Sequence, residues 1–311
     1  MAIATYNIVA DTAGAYANGI RLAYALQNEV LFQLADLSNL QTAIGVTFIG
    51  DIANSNSAAT RVALSDMGAK TPFASINDGV AVTPTTPTFV ASDITVGRAA
   101  LRYDVTALAA GSGFGLNPMD LAKALVQSGE AYLNSVIANT FSAATLTAGT
   151  SGVDMSVDDF FDAMFKLENA NNTGPFGMVL HSVQFNDFRA SLRSESNNAL
   201  SFLDATAEML KVKAPGYVGT IGGVEIFKSN YVTETGTDKI GAMMSIGAVG
   251  WNMGSLTPIE TSDGRLLPAG TPMVVEQQRD AAADLNEYVG NMYVGAGIID
   301  ADRIVKIVTD K

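Results

Sequence analysis

One histidine, no cysteine and 31 carboxylates are the chemical stock of this chain. His181 and Ser182 are neighbours, which invites a nucleophile and base reading. Adjacent residues on a strand point to opposite faces, so the pair does not form that dyad. Ser182 reads instead as the N-cap of a following helix, and His181 as a structural histidine. Gly216, Gly219, Gly222 and Gly223 do not match the G-x-G-x-x-G phosphate cradle, and no Gly-Lys-Ser/Thr occurs, so they read as turn glycines. Asp158, Asp159 and Asp162 fall within one helical turn but lack calcium-loop spacing, and read as a solvated first turn that complements the helix dipole. With 31 acids, glycosidase-like carboxylate pairs exist in number and none stands out. Absence of cysteine removes disulfides, thiolate metal sites and Cys nucleophiles; a single histidine removes multi-His metal sites. No catalytic, cofactor or metal site is expected.

The composition points the same way. Eighteen basic against 31 acidic residues give a formal charge of −13, the opposite of what phosphate neutralisation requires. Charged residues make up 16% and the apolar set 48% of 311 residues, too apolar for disorder and long enough for a sizeable core. The start MAIATYNIVADTAG lacks the basic and apolar regions of a secretory signal, and the run Ile240–Trp251 falls short of the ~20 residues of a spanning helix. Cytoplasmic synthesis of a soluble chain is the expectation.

The elements come next. Apolar residues at three- and four-residue steps predict a helix over 12–40, which packs either on its own domain or as an arm on a neighbour. From Gly45 to about Ala110 the chain turns to Thr- and Val-rich strands with recurring turn signals. Asp78-Gly79 is a hairpin signal, and the apolar face switches parity across Gly97, which suggests a bulge. This stretch has too few large apolar side chains for a core of its own. Asn117-Pro118 opens a long helix to about Thr140, with Leu121, Leu125, Leu133, Val136, Ile137 and Tyr132 in its apolar stripe. Ser156 with Asp159 caps a helix whose apolar side carries Phe160, Phe161, Met164, Phe165 and Leu167. A buried strand Met178–Leu180, a Ser182-capped helix, glycine-turned strands over 215–232 and final strands MVVEQ, EYVGNMYVGAG and RIVKIVT complete the pattern.

In this order the elements resemble the major capsid proteins of tailed bacteriophages, the Hong Kong 97-type fold. The resemblance rests on the Thr/Pro/Gly-rich excursion, the helix from Asn117, GMVLHSVQFNDFRASL, LKVKAPGYVGTIGGVEIFKSNYV, and the closing VVEQQRD and RIVKIVT. It implies an α+β chain with an N-terminal arm (1–45), a strand leading into the peripheral P domain (46–54), an extended E-loop (55–105), the P domain with its spine helix (106–174), an axial A domain (175–270) and returning P-domain strands (271–311). It implies self-assembly through hexamers and pentamers into an icosahedral head enclosing double-stranded DNA without specific binding. Further partners would be a portal, a separate scaffolding protein (the sequence begins without a scaffolding segment) and decoration proteins, with no membrane involved. The virion would be its location and the host bacterial cytoplasm its place of synthesis. Lys70, Phe73, Asp78, Phe89, Arg98 and Arg102 are the candidate inter-subunit contacts. Some members cross-link subunits through an E-loop lysine; Lys70 lies in that excursion, and position is all that points to it. Two other readings stay open: an encapsulin-like compartment shell of the same fold, or an acidic soluble hydrolase. A tail-tube or decoration protein is a further structural alternative.

Overall fold

The computed structural model describes residues 40–51, 59–66, 75–78, 80–82, 88–106, 118–194, 203–204, 216–254, 273–280 and 282–310. The helix expected over 12–40 lies outside them apart from Leu40, which opens a 3-10 turn, Leu40–Thr42. In chain order the elements are β1 (Val46–Asp51), β2 (Ala59–Asp66), β3 (Thr88–Thr95), β4 (Gly97–Thr106), α1 (Pro118–Phe141), β5 (Leu146–Ala148), α2 (Val157–Asn169), β6 (Phe176–Leu180), α3 (Ser182–Ser194) and β7 (Leu203–Asp204). Then come β8 (Tyr217–Ile221), β9 (Val224–Lys228), β10 (Glu234–Thr235), β11 (Asp238–Ser245), β12 (Val249–Met253), β13 (Met273–Asp280), β14 (Leu285–Ile298) and β15 (Ile304–Asp310). The fold is mixed α+β. It divides into two compact units, with boundaries at 96/97, within α1 at 132/133 and within β14 at 293/294.

The larger unit is built on an eight-stranded sheet ordered β5-β15-β11-β6-β9-β8-β7, with β10 paired to β11. Every residue of β6 and β11 is buried, which explains why FGMVL and DKIGAMMS read as near-continuous runs and not as alternations. Helices α2 and α3 pack on this sheet through Phe160, Leu167, Phe185 and Phe188, which meet Met178, Leu180, Ile226, Met243, Val305 and Ile307. The rings of Phe160 and Phe188 stack at 5.6 Å. Gly222 and Gly223, at φ 54° and 83°, form the two-residue turn between β8 and β9 that L side chains resist. The parallel pairing of β1 with β12, and the antiparallel pairing of β12 with residues 294–298 of β14, belong to the same unit.

Capping decides where α2 begins. Ser156 Oγ accepts from Asp159 N, and the Asp159 carboxylate accepts from Ser156 N, a complete capping box. The apolar side of α2 is narrower than the sequence suggests. Phe160 and Leu167 are buried, whereas Phe161 and Phe165 are exposed, because successive residues turn by about 100° and both project away from the sheet. In α1 the start at Pro118 and the burial of Leu121, Leu125, Leu133 and Ile137 match expectation, but Tyr132 is exposed.

The other unit contains β4, the first part of α1, and the antiparallel hairpin of β13 with β14. Val105, Leu121, Leu125, Val126, Met273 and Tyr288 form its core, with Tyr103 against it. The hairpin turn is shaped by Asp280, whose Oδ1 accepts from Ala282 N at 2.9 Å and Ala283 N at 3.3 Å. At Val96, just before Gly97, the structure has a break between β3 and β4, not a bulge within one strand, and this is where the chain passes between units. The parity switch is therefore real, and its cause is a change of core.

Candidate assembly surface

Catalytic geometry is the first test of the site. Among the described residues no group of three or more His, Asp or Glu side chains gathers into a metal site. No described helix is long and apolar enough to cross a membrane. A shallow depression bordered by Glu168, Asn171, Asn172, Thr173, Gly174 and Phe176 contains one carboxylate. His181 and Ser182 do not face one another: Ser182 Oγ pairs with Asn230 Oδ1, and His181 is itself the cap of α3. Its carbonyl accepts from Phe185 N at 2.9 Å and its Nδ1 from Val183 N at 3.3 Å. The helix cap expected at Ser182 thus sits one residue earlier. Asp159 is absorbed by the capping box and Asp162 by an ion pair with Lys166 at 2.5 Å, so the α2 acids serve their own helix.

A different kind of site stands out in the excursion between β1 and β4. Strands β2 and β3 pair antiparallel from Ala59 opposite Thr95 to Asp66 opposite Thr88, and among the described residues they form a two-stranded sheet of their own. A lone hairpin is marginally stable in water and needs another surface. At the far end, Val80 N donates to Asn77 O at 3.2 Å, closing a tight turn at the Asp-Gly signal, although residues 75–77 and 80–82 on either side of it are not the strands of a hairpin. Every described residue from 75 to 82 is exposed. Ile76, Val80 and Val82 are among them, with Val80 59% and Val82 72% exposed.

The root of the hairpin is held as firmly as its tip is bare. Ile94 is buried, and its carbonyl accepts from Asn252 Nδ2 at 3.0 Å. Ser92 Oγ donates to Ile298 O at 2.7 Å. Glycine at 295 is required here: a Cβ would sit 2.2 Å from Thr95 O, a backbone atom that cannot step aside. The excursion is therefore fixed at the base and projects apolar side chains to solvent at the tip.

Four of the six candidate contact residues lie among the described ones. Lys70 and Phe73 lie outside the described residues. Asp78 is at the exposed turn, and Phe89 is in β3 opposite Ser65. Arg98 and Arg102 lie on β4, both engaged within the chain: Arg98 donates to Asn291 Oδ1 at 3.1 and 2.7 Å. Arg102 bonds both oxygens of Asp104 and reaches Glu287 at 2.9 Å. The hydrogen bond from Arg102 holds the Asp104 carboxyl below its ordinary range. These arginines are exposed, and these bonds fix their side chains within the chain.

Sequence reasoning missed a second exposed surface, the Phe161 and Phe165 side of α2, 41% and 62% exposed. The signal was there in their one-turn spacing, but the phase of the helix about its axis was not.

No family model matches the sequence, and a search of curated proteins finds no match. Solved structures do match across nearly the whole chain. The chain is similar to the holo-SrpI encapsulin complex from Synechococcus elongatus, at 10% identity over 86% of this chain and 85% of that one, TM-score 0.59. It is also similar to the capsid of the native GTA particle, at 12% identity over 88% and 90%, TM-score 0.58. A third is the mature capsid of bacteriophage PhiM1, at 9% identity over 87% of each chain, TM-score 0.56. With the α+β architecture above, the chain has the Hong Kong 97-type fold of these capsid and encapsulin shells.

Proposed function

We propose that this chain is a structural shell subunit, the major capsid protein of a tailed bacteriophage, which self-assembles into the icosahedral head around double-stranded DNA. The observation that carries the reading is the hairpin with an anchored root and an apolar, solvent-exposed tip. Covering Val80 and Val82 on a neighbouring copy releases apolar surface worth about 1.5–3 kcal/mol per fully buried side chain, before ordering costs. Repeated around a closed shell, such contacts supply burial that one copy lacks. In this reading the excursion is the extended loop, and Lys70, Phe73, Asp78, Phe89, Arg98 and Arg102 meet the neighbour. A portal, a scaffolding protein and decoration proteins complete the head, and the role is mechanical, not catalytic. The charge of −13 keeps the wall from gripping packaged DNA through phosphate contacts.

The encapsulin likeness supports a second reading, a compartment shell around an enzyme cargo. The experiment that tests both is electron microscopy of the full chain expressed alone and of particles from its native source. Closed icosahedral particles support a shell. DNA inside and a portal vertex select the phage head, and packaged enzyme selects the compartment. A chain that stays monomeric under all conditions overturns both.

A further inference from the structure

We propose that His181 is an acid-operated latch: once protonated, it loosens the start of α3 and the Gln184 bridge that ties α3 to β11 and β15. The chain contains one histidine, and it caps a helix. The cap is reciprocal. His181 Nδ1 accepts from Val183 N, while His181 N donates to Gln184 Oε1 at 3.1 Å. Only a neutral imidazole with its proton on Nε2 offers that acceptor; a protonated ring is a donor at both nitrogens. It would then present N–H to N–H at the positive end of the α3 dipole.

Gln184 carries the consequence inward. It is wholly buried, and its Nε2 donates to Lys239 O at 3.0 Å, Thr309 Oγ1 at 2.8 Å and Ile307 O at 3.3 Å. Its Oε1 packs closely on Gly241, where a Cβ would come within 3.0 Å of it. One side chain therefore serves both as the third residue of the cap and as the tie between strands, so a disturbed cap is felt in the sheet.

Charged groups on the surrounding elements are Asp238 and Lys239 on β11, with Glu234 as the partner of Lys239, Glu225 and Lys228 on β9, Asp187, Arg189 and Arg193 on α3, and Lys306 and Asp310 on β15. Burial first, and then the Lys239 ammonium, hold His181 below its ordinary titration range. A base whose folded titration is depressed contributes stability that is present above its unfolded value and lost as pH falls through the folded one. The latch is closed at neutral pH and opens in acid. It does not depend on the shell reading.

The full chain, assembled or not, is followed by hydrogen exchange with mass spectrometry between pH 7.5 and 5.0, corrected for intrinsic rates. In parallel, carbethoxylation of the lone histidine by diethylpyrocarbonate reports its titration. Peptides covering 182–188 should exchange faster in acid, by about tenfold for each unit separating folded from unfolded titration, while residues 224–227 stay protected. His181→Asn, which caps without titrating, should abolish the acid response. Lys239→Met should move the carbethoxylation midpoint upward. An unchanged acid response in His181→Asn, no response in wild type, or an unmoved midpoint in Lys239→Met overturns the proposal.

Discussion

Asn252 Nδ2 donates a 3.0 Å hydrogen bond to the carbonyl of Ile94, joining a wholly buried strand residue to the last turn-in of the hairpin root. Asn252→Ala leaves that buried carbonyl without this donor. The expected cost is about 1–3 kcal/mol in denaturant unfolding, with faster amide exchange in residues 92–95. Unchanged exchange there would show that the root is held by something else.

Gln184→Leu keeps the volume of the side chain but removes its bonds to His181, Lys239 and Thr309. At about 1 kcal/mol per lost bond and more for groups left buried, a loss on the order of 3 kcal/mol is expected. Urea unfolding measures it; a loss under about 0.5 kcal/mol would mean that the bridge contributes little.

Asp187 titrates above its ordinary range, because of burial first and then the nearby Asp154 and Asp310 carboxylates. A carboxyl shifted upward favours the folded state below its unfolded value and loses that contribution as pH rises through the folded one. Asp187→Asn should therefore match wild type in thermal stability near pH 3.5 and exceed it at pH 7. The gain should be small, because the half-buried carboxyl keeps part of its contact with solvent. Equal stability at pH 7 would contradict the upward shift of this carboxyl.

Val80→Asp with Val82→Asp places charge on the hairpin tip without touching a described buried residue. The subunit should fold with unchanged circular dichroism and thermal midpoint, while light scattering shows assembly lost. Normal particles from this double variant would remove the tip from the account.

Much of the architecture was legible in the sequence. Local chemistry signals carried through: Ser156 with Asp159 formed the capping box, Pro118 opened α1, and Asp78 marked the turn. What failed depended on tertiary context. Phe161 and Phe165 belong to the apolar side in sequence, but a helix with five large apolar residues in eight does not show which of them face the sheet. Ser182 reads as the cap because hydroxyls usually win that position, but Asn230, far along the chain, engages it and leaves His181 to close the helix. Gln184 carried no signal at all: its worth lies in three partners more than fifty residues away. Of the candidate assembly surface, the hairpin is readable from its poverty of large apolar residues, whereas Gly295 and Gly297 on β14 gain meaning only from Thr95 and Ile94 lying against them.

Analytical ultracentrifugation of the purified full chain, with electron microscopy of the same sample, tests the central idea most directly. Megadalton closed particles with each hairpin tip resting on an adjacent copy are the result expected from an anchored root and a bare tip. A single species at 32.4 kDa, unchanged by concentration, salt or co-expressed head proteins, would contradict it.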